Sequence, residues 1–164
     1  WAMIRRAEKA DLPALCEIAR LARAYMARTG NPNQWDSGYP DLYLEKDIGQ
    51  GQLYVLADEE GVPHAFFAYV LGPDPSYANI DGAWFNDRPY GTIHRIASDR
   101  TVKGVFAQCL DFCADICPNI RADTHADNQI MRHLLEKHGF LCCGTVNLDL
   151  REGDTLRIAY QREG

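Results

Sequence analysis

Thr92-Ile93-His94-Arg95-Ile96-Ala97-Ser98, and then Thr101-Val102-Lys103-Gly104-Val105-Phe106, hold the densest structural information in this chain. The first run predicts a strand over Thr92–Ser98. The second places a glycine near the start of an apolar helical pattern and predicts a helix over Val102–Cys117, ended by Pro118. A strand feeding a glycine-containing helix start puts backbone N–H groups where they can hold phosphate. The alternation continues with a strand at Ile120–Thr124 and a helix at Asn128–His138. In that helix Ile130, Met131, Leu134 and Leu135 are expected inward, and Gly139 is the C-cap. Residues 90–140 therefore read strand, loop, helix, strand, helix.

Upstream, Met3–Ala7 alternates as a first strand. Leu12, Leu15, Ile18, Ala19, Ala22 and Met26 follow helical spacing to about Ala27, with Asp11 as N-cap and Pro13 in the first turn. Asn33–Pro40 is a loop carrying Trp35 and Tyr39, and Asp41–Ile48 is a short amphipathic helix. Leu53–Ala57 and Ala65–Leu71 flank a turn at residues 58–61 and form a hairpin. Gly72–Pro89, rich in Gly, Pro, Asp and Asn, holds Trp84 and Phe85 and room for a short strand near Tyr77–Ile80. Its aromatics either line a binding site or cap the core edge. A last hairpin joins Phe140–Leu148 to Thr155–Gln161. Hairpins at both ends around a βαβα centre predict an α/β fold with a mixed sheet and helices on both faces.

The chain has 164 residues, 46% hydrophobic and 24% charged. That suits one globular domain, expected over residues 3–162 with Met3 as the native start. No apolar run approaches the roughly 20 residues of a membrane span. The net charge of −6 and the lack of a basic stripe argue against broad nucleic-acid binding. Six cysteines without a secretory leader predict reduced thiols in a cytoplasm. Cys109, Cys113 and Cys117 recur every four residues. They form a core stripe with Phe106, Leu110 and Ile116, because a metal site would lack a fourth ligand and a CxxC pair. Cys142 and Cys143 should point to opposite faces of one strand. No metal is expected.

On these residues the chain resembles the GNAT acetyltransferase superfamily, and specifically a bacterial subgroup of it. The resemblance covers nearly the whole chain by element order and is motif-specific over residues 92–140. The family's phosphate loop reads Q/R-x-x-G-x-G/A. Here Thr101, Val102, Lys103, Gly104, Val105 and Phe106 occupy it, so Thr101 replaces Gln or Arg and Phe106 replaces the second small residue. The resemblance implies acetyl-coenzyme A as co-substrate, its pyrophosphate on this loop. Backbone groups of Ile96, Ala97 and Ser98 and the side chain of Asn128 would meet the pantetheine arm. Asn128 also suits a simple helix N-cap.

The implied activity is N-acetylation of a primary amine by direct transfer in a ternary complex. The acceptor is a small molecule, an amino acid or a protein amino group. His94 is the candidate base, with Arg95 facing away from it across the strand. Many relatives carry a tyrosine acid seven residues after the asparagine; this chain has Leu135 there. Cys143, Tyr90, His125 or water are the substitutes. Trp35, Tyr39, Trp84 and Tyr90 are candidates for the acceptor wall, since aromatic rings bury apolar area and attract ammonium groups. Asp123 reads as a loop brace. A homodimer through the terminal strands is conceivable on this order. The competing readings are a non-catalytic acyl-coenzyme A sensing module and an interaction protein on the same fold.

Overall fold

The computed structural model describes residues 3–32, 34–35, 40–148 and 154–164. Eight strands form one sheet: β1 (Met3–Arg6), β2 (Leu53–Ala57), β3 (Pro63–Leu71), β4 (Asp81–Gly82), β5 (Gly91–Ser98), β6 (Ile120–Thr124), β7 (Leu141–Asn147) and β8 (Leu156–Arg162). Their order across the sheet is β1-β2-β3-β5-β6-β8-β7-β4. Every pairing is antiparallel except β5 with β6. The helices are α1 (Leu12–Arg28), α2 (Asp41–Gly49), α3 (Val105–Ile116) and α4 (Gln129–Lys137). This is the mixed α/β architecture the sequence predicts.

Both faces of the central strands are covered, so their residues alternate between two cores. Phe67 and Tyr69 of β3 join Ile93, Phe106, Cys109, Leu110, Leu135 and Phe140 under α3 and α4. Phe66 and Ala68 of the same strand join Leu15, Ile18, Trp35, Leu44 and Val55 under α1 and α2. A smaller cluster of Tyr77, Val146 and Ala159 lies under the segment around β4. Among the described residues no helix is long and apolar enough to cross a membrane.

Several expectations need correction. Asp11 occupies the N-cap position of α1, but its carboxylate does not cap that helix. It pairs with both Nη atoms of Arg5, at 2.8 and 2.9 Å, and accepts from the Glu8 N–H. The helix α3 starts at Val105 rather than Val102, because Gly104 turns left-handed at φ +68° just before it. The predicted strand near Tyr77 is a single 3₁₀ turn, Pro75–Tyr77, built on the Asp74 carboxylate, and the short strand follows it as β4. Ile116 and Ile130 are exposed, because the buried faces of α3 and α4 run through Cys109–Cys113 and Met131–Leu135. Cys117 lies just past α3 in extended backbone and is partly buried against the same core as Cys109 and Cys113. Cys142 is exposed and Cys143 buried, at a bulge where β7 shifts register against β8. The strand β8 is interior and β4 covers part of the outer edge of β7, so the terminal hairpin offers no wholly free edge. The turn at residues 149–153 lies outside the described residues.

Candidate functional site

The site is made by two strands that begin side by side and then part. Parallel β5 and β6 pair only at Gly91 with Ile120 and at Thr92 with Arg121. From Ile93 onward β5 keeps β3 on one edge and, among the described residues, has no strand on the other. Main-chain groups along that open edge have no ladder partner, and a buried polar backbone demands one. A bulge sharpens the divergence. Between Phe66–Ala97 and Ala68–His94, three steps of β5 oppose two of β3, and Arg95 sits at φ +52°. A non-glycine residue in that region is uncommon and marks a re-aimed side chain. The expected alternation of His94 and Arg95 therefore fails, and His94, Arg95 and Ile96 all border one cavity of about 320 Å³. That size lies in the range of small-molecule sites, about 300–1,000 Å³.

One wall of the cavity is ionic. His94 Nε2 lies 2.9 Å from Asp74 Oδ2. Asp74 is itself fixed: its other oxygen accepts from the Ser76 N–H at 2.9 Å, and its own N–H donates to the Tyr90 hydroxyl at 2.8 Å. Burial pushes the Asp74 carboxyl up, but the His94 hydrogen bond and charge and the Ser76 donor outweigh it, leaving the group below its ordinary range. Tyr77 stands between the parted strands. Its ring lies 6.3 Å from the His94 ring, and its hydroxyl donates to Asp123 Oδ2 at 2.6 Å. Burial, with the Asp123 charge added, holds the Tyr77 phenol well above its usual range. Arg95 is clamped by Asp47, whose two oxygens take its Nε at 2.6 Å and Nη2 at 3.0 Å. Trp35, Tyr43, Gln34 and Arg157 complete this end.

The cavity reaches Phe106 in the first turn of α3, and beyond its lining lies the loop from Ser98 into that helix. Ser98 Oγ accepts from the Arg100 N–H, and Asp99 Oδ1 accepts from both the N–H and the hydroxyl of Thr101. Thr101 is thus committed to shaping the turn. His64 braces it from β3, with Nδ1 2.8 Å from Asp99 and Nε2 2.9 Å from Asp58. The first-turn N–H groups of a helix have no partner within it, and those of α3 begin at Val105. Gly104 faces open space: a Cβ there would meet no atom within 4 Å. Phe106, the bulky residue of the loop, is 6% exposed, with its ring in the core 5.3 Å from His138. Its side chain therefore leaves the backbone approach clear. A helix start with open donors and an unfilled cradle fits a phosphate group.

The remaining sequence candidates are dispersed. Trp35 and Asn128 border the cavity. Asn128 caps α4 by accepting from Met131 N–H, and its amide donates to Gln34 Oε1 at 3.0 Å. His125 is used on both nitrogens: Nδ1 accepts from the Asp127 N–H, and Nε2 lies 2.6 Å from Asp154. Trp84 packs on Tyr77 and on Arg121, and Tyr90 also packs on that guanidinium. Neither Trp84 nor Tyr90 borders the cavity. Cys143 lies in β7 away from it, with its thiol pushed up to about 11 by burial and the neighbouring Cys142. Tyr39 lies outside the described residues. Asp74, Asp123, Asp47 and Arg95 are the site residues that sequence reasoning missed. Asp74 falls in the Gly-, Pro-, Asp- and Asn-rich segment and is not singled out there, and Asp123 lines the cavity rather than merely bracing a loop.

No protein-family profile and no curated protein sequence matches the chain. Solved structures do. A GNAT family acetyltransferase from Streptococcus agalactiae is 31% identical, with a TM-score of 0.86 over 99% of this chain and 95% of that one. A GNAT family acetyltransferase from Listeria monocytogenes is 17% identical, with a TM-score of 0.73 over 99% and 94%. A GNAT superfamily phosphinothricin acetyltransferase from Sinorhizobium meliloti, solved in complex with AcCoA, is 17% identical, with a TM-score of 0.63 over 99% and 88%.

Proposed function

The chain belongs to the GNAT family of acetyltransferases, and from that premise we propose that it moves an acetyl group from acetyl-coenzyme A to a primary amine, within one domain spanning residues 3–162. The observation that carries this reading is the gap between β5 and β6. An open main-chain edge runs along it, a phosphate-competent helix start stands at one end, and the His94–Asp74 pair stands at the other.

Acetyl-coenzyme A supplies an activated thioester carbonyl. Backbone N–H groups from Val102 to Phe106 hold its pyrophosphate. The open edge at Ile96, Ala97 and Ser98 pairs with the amide-rich pantetheine arm, as an added strand would. A main-chain N–H of that edge donates to the carbonyl oxygen as it gains charge. His94 takes the proton of the acceptor's ammonium, and Asp74 holds the imidazole in one orientation. The amine nitrogen then bonds to the carbonyl carbon, the carbon–sulfur bond breaks, the nitrogen releases its second proton to water, and the thiolate takes a proton from water. Water is favoured as that acid because His125, Tyr90 and Cys143 lie off the cavity and Leu135 cannot donate.

Calorimetric titration with acetyl-coenzyme A and free coenzyme A tests the coenzyme half, and thiol release over an amine panel tests the chemistry. Micromolar binding with turnover is expected. Binding without turnover of any amine would leave a sensing module instead, and absence of binding would sink both.

A further inference from the structure

Three carboxylates line the cavity, and they are not equivalent. Asp47 is neutralised by the two-point contact with Arg95. Asp74 is paired with His94. Among the described residues Asp123 meets only the Tyr77 hydroxyl, and no Lys, Arg or His nitrogen there forms an ion pair with it. A hydroxyl donor fixes a carboxylate in place without cancelling its charge. Half-buried and facing a cavity, that charge lacks the partner that buried charges normally have.

Of the cations bordering the same cavity, Arg95 is held by Asp47, Lys46 is an exposed side chain next to Asp47 on α2, and Arg157 is directed at carbonyls. Arg157 donates Nη1 to the Asp154 and Leu156 carbonyls and Nη2 to the Gln34 carbonyl. Tyr77 also bridges the parted strands, bonded to Asp123 on β6 with its ring beside His94 on β5. Resting on the acetyltransferase reading, we propose that Asp123 binds the acceptor's ammonium beside His94, and that the acceptor is accordingly an alkyl amine whose reacting nitrogen is not flanked by a carboxylate. An α-amino acid would bring its own carboxylate within a bond or two of that nitrogen, against Asp123 and Asp74 together. Like charges so close repel strongly away from bulk water.

The test compares phenethylamine, phenylalaninamide and phenylalanine, which share a ring and a reacting amine. Phenethylamine and phenylalaninamide should be acetylated, and phenylalanine at least about tenfold less efficiently by kcat/KM. Asp123→Asn still accepts from Tyr77 but loses the charge. It should raise KM for phenethylamine about tenfold or more, with kcat within about threefold, and narrow the gap to phenylalanine. Tyr77→Phe keeps the carboxylate and should move KM less. A preference for phenylalanine, or an unchanged KM in Asp123→Asn, overturns the proposal. Should the protein fail to turn over any amine, the acetyltransferase reading falls. Phenethylamine titrated calorimetrically into the protein then decides Asp123: weaker binding in Asp123→Asn sustains it, and equal or absent binding overturns it.

Discussion

Gly104 allows the phosphate loop to be tested with backbone and charge separated. The residue sits at φ +68° and ψ 27°, just before α3, with no atom within 4 Å of where a Cβ would stand. Gly104→Ala therefore carries the left-handed penalty without a clash. That amounts to about 1 kcal/mol of stability, with acetyl-coenzyme A affinity changed by no more than about threefold. Gly104→Gln adds length, and Gly104→Glu adds the same length plus a negative charge beside the phosphates. Placing like charges within a few ångströms at a partly solvated surface costs on the order of 1–3 kcal/mol, or about 5- to 150-fold in Kd. The Glu variant should thus bind about that much more weakly than the Gln variant. The gap should shrink when salt is raised to about 0.5 M, because mobile ions screen the added charge. Calorimetric titration of all three variants at two salt concentrations reads this directly. Equal affinity of the Glu and Gln variants would show that the pyrophosphate does not sit at the start of α3.

Other consequences can be measured independently. His94→Ala should lower kcat/KM by about a hundredfold or more and flatten the acidic limb of the pH–rate profile; an unaltered profile would remove His94 from the base role. Asp74→Asn should lower turnover less, since the ring remains and only its orienting charge is lost. His64 is raised above its ordinary range by its hydrogen bonds to Asp58 and Asp99. Its contribution to stability is therefore full below about pH 6.5, the unfolded value, and disappears as pH rises through the higher folded value. Urea denaturation across that window should show stability falling with pH in the parent protein and a flatter dependence in His64→Gln; an equal slope in both would refute this. Gly91→Ala would drive a Cβ into the Tyr69 ring, whose hydroxyl donates to the Cys117 carbonyl at 2.5 Å. A loss of about 2–4 kcal/mol in urea denaturation is expected, and a loss under about 0.5 kcal/mol would mean that the ring moves aside freely.

Most elements were legible because alternation, helical spacing and turn residues agreed along the chain. The strands β2 and β6 fall on the residues the pattern marks, and α4 begins just after the Asn128 cap. The site was less legible because its geometry depends on local exceptions. Arg95 at positive φ breaks strand alternation, and nothing in an Ile-His-Arg-Ile run signals a bulge. Asp74 stands twenty residues before His94 and reaches it only because β3 and β5 pair antiparallel and the 3₁₀ turn tilts the loop back. The cysteine stripe and the aromatic loop were ambiguous for a different reason. Core and site use the same residue types, and only the packing of Trp84 on Arg121, away from the cavity, separates them.

The two residue pairs joining β5 to β6 make the sheet two plates with a short seam. On one face the seam is sealed, because a single core runs from Phe67 and Ile93 across to Ala122 and Tyr160. On the other face the plates carry separate clusters, one around Phe66 and Ala97 and one around Tyr77 and Ala159. The sheet is therefore skinned on one side and split on the other, like a book held by its spine. A molecule lodged in the split supplies cohesion that the polypeptide does not. At a hundred times its Kd, mass action alone makes that cohesion worth about 2.7 kcal/mol.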